Sequence, residues 1–172
     1  MAVASTVEPT RRDFLYIATG AVAAVGTAVA IWPFISQMNP DASTLALAST
    51  ELDIGAIPEG QIVTVKWRGG PVFVRHRTAK EIEEARSGDN QPMPDPEPDA
   101  KRVQKPEWLV VKGICTHLGC IPLGHEGEYK GWFCPCHGSV YDQSGRIRKG
   151  PAPRNLEVPP YAFLSDTKIK IG

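Results

Sequence analysis

Hydrophobic positions are distributed very unevenly along this chain. From Phe14 to Ile35 there are 22 consecutive residues without a charged side chain. A helix of that length reaches about 33 Å, enough to cross the hydrocarbon core of a bilayer. No face of the segment is polar, which argues against a surface or core helix. Gly20, Ala24 and Ala28 form a row of small residues that suits close helix packing, and Trp32 falls where the far interface would lie. Just before the run, Thr10-Arg11-Arg12-Asp13-Phe14-Leu15 has the form of a twin-arginine export signal. Ala28-Val29-Ala30 offers a small-residue cleavage site, but the run exceeds the roughly 7–15 residues of a signal core. The prediction is therefore an uncleaved anchor at 14–36, behind a cytoplasmic N-terminus at 1–13 whose first ten residues are expected to be disordered.

After the anchor the pattern changes. Residues 37–50 carry the turn pair Asn39-Pro40 and then small residues with little periodicity, predicting a flexible tether. From Glu51 onward, short β-rich runs dominate. Gln61–Trp67 and Val72–His76 flank Gly69-Gly70 and predict a hairpin. Thr78-Ala79-Lys80-Glu81 matches a capping box and predicts a short helix over Thr78–Arg86. Pro92, Pro94, Pro96 and Pro98 alternate with mostly acidic residues across Asp89–Asp99, read as an extended, solvated, passive insertion. Strand character returns at Trp108–Val111 and Tyr129–Phe133. Beyond the stiff Gly150-Pro151-Ala152-Pro153 loop, Leu156–Val158, Ala162–Leu164 and Lys168–Ile171 read as closing strands. The head, 51–172, is thus predicted to be all-β.

Charge and composition narrow the function classes. Lys plus Arg equal Asp plus Glu at 19 each, so no net field draws the chain to nucleic acid. With 16 Pro and 16 Gly, loops and short strands are favoured over a helical bundle. Four cysteines are too few for a disulfide scaffold of 172 residues, and their clustering points to a site.

That site is the stretch Cys115–Tyr141. It holds all four cysteines and three of the four histidines, in the groups Cys115-Thr116-His117-Leu118-Gly119-Cys120 and Cys134-Pro135-Cys136-His137-Gly138-Ser139. Zinc and iron–sulfur are both open at this point. Structural zinc favours C-x2-C pairs, whereas here the pairs read C-x-H (Cys115, His117) and C-x2-H (Cys134, His137). Cys120 and Cys136 are then left over, one per loop, which suggests a bond between the two loops. His76 is expected to be a surface or strand-end histidine and His125 an exposed one, and Trp67, Trp108 and Trp132 to be core or interface residues. The Lys80–Arg86 charges are expected to form a solvated helix face.

The motifs C-T-H-L-G-C and C-P-C-H-G-S-x-Y, together with Arg-His-Arg-Thr, Lys-Pro-Glu-Trp, Gly-Pro-Ala-Pro and the twin-arginine anchor, give a marked family likeness. The chain resembles the Rieske iron–sulfur subunits of quinol–cytochrome c oxidoreductases (cytochrome bc complexes) over nearly its whole length. The resemblance implies an antiparallel β-sandwich head with a small cluster-binding subdomain at about 113–154 and one short helix insertion. It implies one [2Fe–2S] cluster, with Cys115 and Cys134 on one iron and His117 and His137 on the other, beside a Cys120–Cys136 disulfide. Ser139 and Tyr141 would donate hydrogen bonds to a bridging sulfide and to the Cys115 sulfur, and Gly150 and Pro151 would lie in the loop covering the cluster. His137 would accept the quinol proton, with Leu118 packing against the quinol ring.

The implied partners are a cytochrome b subunit, a c-type cytochrome subunit and ubiquinol, in a homodimer of heterotrimers. With the anchor starting about a dozen residues from Met1, the implied location is a bacterial inner membrane with a periplasmic head. Two rivals remain: the Rieske small subunit of a periplasmic molybdenum oxidase such as arsenite oxidase, and a structural zinc module.

Overall fold

The computed structural model describes residues 10–42, 44 and 48–172. The predicted disordered start and the centre of the predicted tether lie outside the described residues. The chain divides into two units, Met1–Leu45 and Ala46–Gly172.

The first unit holds helix α1, Arg11–Ser36, whose 26 residues span about 39 Å. It starts where its chemistry allows. The Thr10 side chain accepts from the Asp13 backbone N–H, and the Asp13 carboxylate accepts from the Thr10 N–H, a reciprocal capping box. The helix is long and apolar enough to cross a membrane, and none of that stretch is buried within the protein.

The second unit is built from three antiparallel sheets. Strands β1 (Thr50–Asp53), β10 (Lys168–Ile171) and β9 (Tyr161–Ser165) form the first, in that order. The second is β2 (Ile62–Trp67), β3 (Gly70–His76) and β4 (Trp108–Lys112). The third runs β5 (Leu123–Glu126), β6 (Gly131–Cys134), β7 (Ser139–Tyr141), β8 (Ile147–Lys149). The middle sheet is the keystone. Successive residues of β3 and β4 point to opposite faces. Val72, Val74, Trp108 and Val110 enter one core with Ile54, Ile169 and Ile171 of the first sheet's side. Phe73, Leu109 and Val111 enter the other with Trp132, Tyr141, Ile147 and both free cysteines. Burial on both faces explains why Val72–Arg75 and Trp108–Val111 carry no polar alternation, as buried central strands do not.

Three details differ from the predicted elements. The hairpin turn is Arg68-Gly69, because Trp67 pairs with Gly70 and both turn residues have positive φ (46° and 81°), a primed two-residue turn. The short strands β1, β5, β7 and β8 escaped prediction, being only three or four residues long, too short for a period-two pattern to register. Leu156–Val158, expected as a strand, is irregular, although Leu156 is fully buried.

The segment between β3 and β4 is the largest correction. Helix α2 (Ala79–Ser87) has the predicted Thr78 capping box, but a 3-10 turn (Gly88–Asn90) and a one-turn helix α3 (Asp99–Arg102) follow it. The acidic, proline-rich stretch is no passive loop. Asp99 is completely buried and pairs with buried Arg77 at 2.6 Å, while its carboxylate also accepts from Ser144 Oγ. Asp89 pairs with buried Arg146, Glu97 with Arg102 at 2.5 Å, and Asp95 accepts from the Asn155 backbone at 2.9 Å. Asp99, Asp89 and Glu97 thus help to neutralise three arginines buried under the β7–β8 turn, where Arg146 is also paired with Asp142 at 2.8 Å. The α2 charges are not all solvated either: Glu81 pairs with buried Arg75 at 2.5 Å.

Candidate metal centre

Two loops converge at the end of the third sheet, one after β4 and one between β6 and β7. Both close in the same way. Gly119 N–H donates to Cys115 C=O at 2.9 Å and Gly138 N–H donates to Cys134 C=O at 2.9 Å. Both glycines hold positive φ, 83° and 77°, where a side chain is disfavoured. Each turn therefore places a cysteine at its start, with the histidine two residues before the glycine in the first loop (His117, Gly119) and immediately before it in the second (His137, Gly138). The first loop is closed further by Cys115 N–H to Cys120 C=O at 2.8 Å.

Cys120 and Cys136 are bonded to each other with an S–S distance of 2.18 Å, tying the two loops together. Cys115 and Cys134 are free and buried. The Cys134 sulfur lies within 4.8 Å of both disulfide sulfurs, but those two are already spent on one another. The His117 and His137 rings sit 4.6 Å apart at 88°. His117 is half-buried and His137 is exposed.

The residues fit a metal group. The His117 Nδ1 atom is buried and has no hydrogen-bond partner among the described residues, a costly arrangement unless something binds it. Two free buried thiols and two imidazoles are also the donor chemistry of an iron–sulfur centre with mixed ligands. Burial raises the Cys115 thiol pKa, but the Tyr141 hydroxyl, the His117 backbone, Cys134 and Ser139 outweigh it and leave it lowered. Cys134 goes the other way, raised first by burial and then by the neighbouring Cys115.

The flanking residues are placed by β7. The Tyr141 hydroxyl lies 3.2 Å from Cys115 Sγ. Buried Ser139 accepts from Ala152 N–H at 3.2 Å, which leaves its own hydroxyl proton free to donate. Gly150 and Pro151 are exposed, and Gly150 lies flat on the second loop: a Cβ there would sit 2.7 Å from Ser139 Cα and 2.8 Å from Gly138 C=O. Gly150→Ala is accordingly expected to push this loop off Ser139, with a loss of about 1–3 kcal/mol in head stability measured by thermal unfolding. Leu118 is 71% exposed at the tip. Thr116, Ala152 and Arg154 also shape the site and were not singled out from sequence; only the rigidity of Gly150-Pro151-Ala152-Pro153 hinted at that wall. His125 is exposed, and His76 closes β3 stacked on Trp108 at 4.1 Å.

Paired Cys/His loops locked by a disulfide over a three-sheet head define a Rieske-type iron–sulfur protein. Residues 52–161 match the Rieske [2Fe–2S] domain family, and residues 1–41 match the twin-arginine signal of the ubiquinol–cytochrome c reductase iron–sulfur subunit. The chain is 62% identical to the ubiquinol–cytochrome c reductase iron–sulfur subunit of Blastochloris viridis, covering all of this chain and 98% of that one. It is 63% identical to the subunit of the same name from Bradyrhizobium diazoefficiens over the full length of both. A chain of a hyperthermophilic respiratory Complex III has the same architecture, with a TM-score of 0.55 and 29% identity over 90% of this chain and 98% of that one. The chain belongs to the family of iron–sulfur subunits of ubiquinol–cytochrome c reductase. With its apolar N-terminal helix and export signal, it is a membrane-anchored subunit of that oxidoreductase complex.

Proposed function

We propose that this subunit takes one electron and one proton from ubiquinol and delivers the electron to a c-type cytochrome of the same complex. Cys115 and Cys134 hold one iron and His117 and His137 the other. The observation that carries the assignment is the orphaned, buried His117 Nδ1 beside His137 and the two free buried cysteines. When bound, the cluster supplies a one-electron acceptor, of a class whose potentials span about −150 to +300 mV.

The chain's own residues do the rest. Exposed His137 presents its outward ring nitrogen to the quinol hydroxyl and holds the proton there. Exposed Leu118 provides the apolar contact for the quinol ring. The second electron leaves through a b-type haem of the cytochrome b subunit. The disulfide keeps the loops closed at an exposed tip, and the buried faces of Trp132 and Tyr141 keep water from the thiolates. The anchor holds the N-terminus on the cytoplasmic side of a bacterial inner membrane, with the head in the periplasm, and segment 37–50 lets the head alternate between its electron donor and acceptor. Replacing residues 43–47 by prolines is expected to slow turnover while the cluster spectrum stays unchanged.

Ser139 and Tyr141 donate toward the sulfurs and favour the electron-rich form. Ser139→Ala is expected to lower the midpoint potential, at about 60 mV for each 1.4 kcal/mol of hydrogen bonding gained on reduction, and to slow quinol oxidation. A redox titration followed by EPR tests this; an unchanged potential contradicts the role given to Ser139.

A further inference from the structure

Thr116 stands between two proposed ligands, and its hydrogen bonds determine where a neighbouring proton goes. Its hydroxyl is 2.6 Å from the Arg154 carbonyl oxygen, which can only accept, so the single Thr116 hydroxyl proton is committed there. Its backbone N–H donates to Tyr141 Oη at 3.3 Å. Its Oγ1 also lies 3.4 Å from Tyr141 Oη, and in that contact only Tyr141 has a proton left to give.

The Tyr141 proton therefore has two acceptors, Cys115 Sγ at 3.2 Å and Thr116 Oγ1 at 3.4 Å. An oxygen–oxygen contact of that length is too long to compete, and a thiolate acceptor adds charge assistance. The N–H donated into the phenol oxygen strengthens the outgoing O–H in the same chain of hydrogen bonds. The chain runs Thr116 N–H to Tyr141 O–H to Cys115 Sγ, and it stays in line only while the Arg154 carbonyl holds the Thr116 side chain.

We infer that Thr116 is a positioning residue: by anchoring its hydroxyl to the Arg154 carbonyl it aims the Tyr141 hydroxyl at the Cys115 sulfur and so raises the potential of the centre. This rests on the proposed assignment of Cys115 as a thiolate ligand. It assigns Thr116 no contact of its own with the cluster.

The test is a double-mutant cycle in the full-length chain within its membrane complex, read as the EPR-monitored midpoint potential. Thr116→Val and Tyr141→Phe each lower the potential. In the doubly substituted protein, Thr116→Val adds no further drop, because its effect passes entirely through the Tyr141 hydroxyl. Thr116→Ser, which keeps the hydroxyl, restores the wild-type value, and Thr116→Ala, a smaller replacement, shows the same dependence on Tyr141 as Thr116→Val. Full additivity of the two substitutions overturns the inference, since it makes Thr116 a merely structural neighbour. If Tyr141→Phe shifts the potential and Thr116→Val does not, only the inference about Thr116 falls. If neither shifts it, the assignment of Tyr141 and Cys115 falls with it.

Discussion

Cys115→Ser is expected to leave the chain without its cluster. Membranes carrying the variant should show iron and acid-labile sulfide at background per subunit, no EPR signal from the reduced centre, and quinol–cytochrome c reductase activity more than tenfold down. The reason is local. Cys115 is a free, buried thiol whose pKa stays below the ordinary thiol value despite burial, because the Tyr141 hydroxyl and its other neighbours stabilise the thiolate. A serine hydroxyl keeps its proton at neutral pH and is a far poorer ligand than a thiolate. Cys120→Ser gives the contrast: it breaks the loop-to-loop bond but removes no proposed ligand, and should leave a cluster that forms and is lost more readily.

Asp99→Ala is expected to destabilise the head by about 3–5 kcal/mol, because it leaves the buried Arg77 guanidinium without its partner. That corresponds to a fall in unfolding temperature of roughly 10–20 °C for a domain of this size. The same group predicts an acid limit. Burial pushes the Asp99 carboxyl up, but hydrogen bonds from Arg77 and Ser144 and the charges of Arg77 and Arg146 pull it below its ordinary 3.8. A depressed folded-state pKa contributes stability that is fully present above 3.8 and is lost as pH falls through the lower folded value. Wild-type and Asp99→Asn heads should therefore converge in stability only below about pH 4, measured by thermal unfolding across pH.

The anchor and the metal loops were legible from sequence for opposite reasons. A charge-free run of 22 residues from Phe14 to Ile35 has few structural interpretations, and α1 spans it. The paired Cys/His loops carry their chemistry in residue type alone, and the two matching glycine turns bring those side chains together. Asp89–Asp99 was misread because alternating proline and carboxylate looks solvated when its partners are unseen. Those partners, Arg77, Arg102 and Arg146, sit up to 57 residues away in the chain, and only the fold places them under Asp99, Glu97 and Asp89. Strands β5, β7 and β8 were hidden for a different reason. Each is only three or four residues long, and β7 is taken up by Ser139 and Tyr141, so no alternation develops for a pattern to show. Thr116 was equally invisible, since its role depends on a carbonyl 38 residues away.

The most direct test of the central claim is pulsed EPR of the reduced subunit labelled with 15N-histidine. Two iron atoms bound on one side by Cys115 and Cys134 and on the other by His117 and His137 predict coupling of the unpaired electron to two histidine nitrogens. One of these couplings should be lost, with the signal altered or abolished, in His137→Cys. A reduced centre with no histidine-nitrogen coupling, or a colourless protein holding zinc and giving no signal, would contradict it.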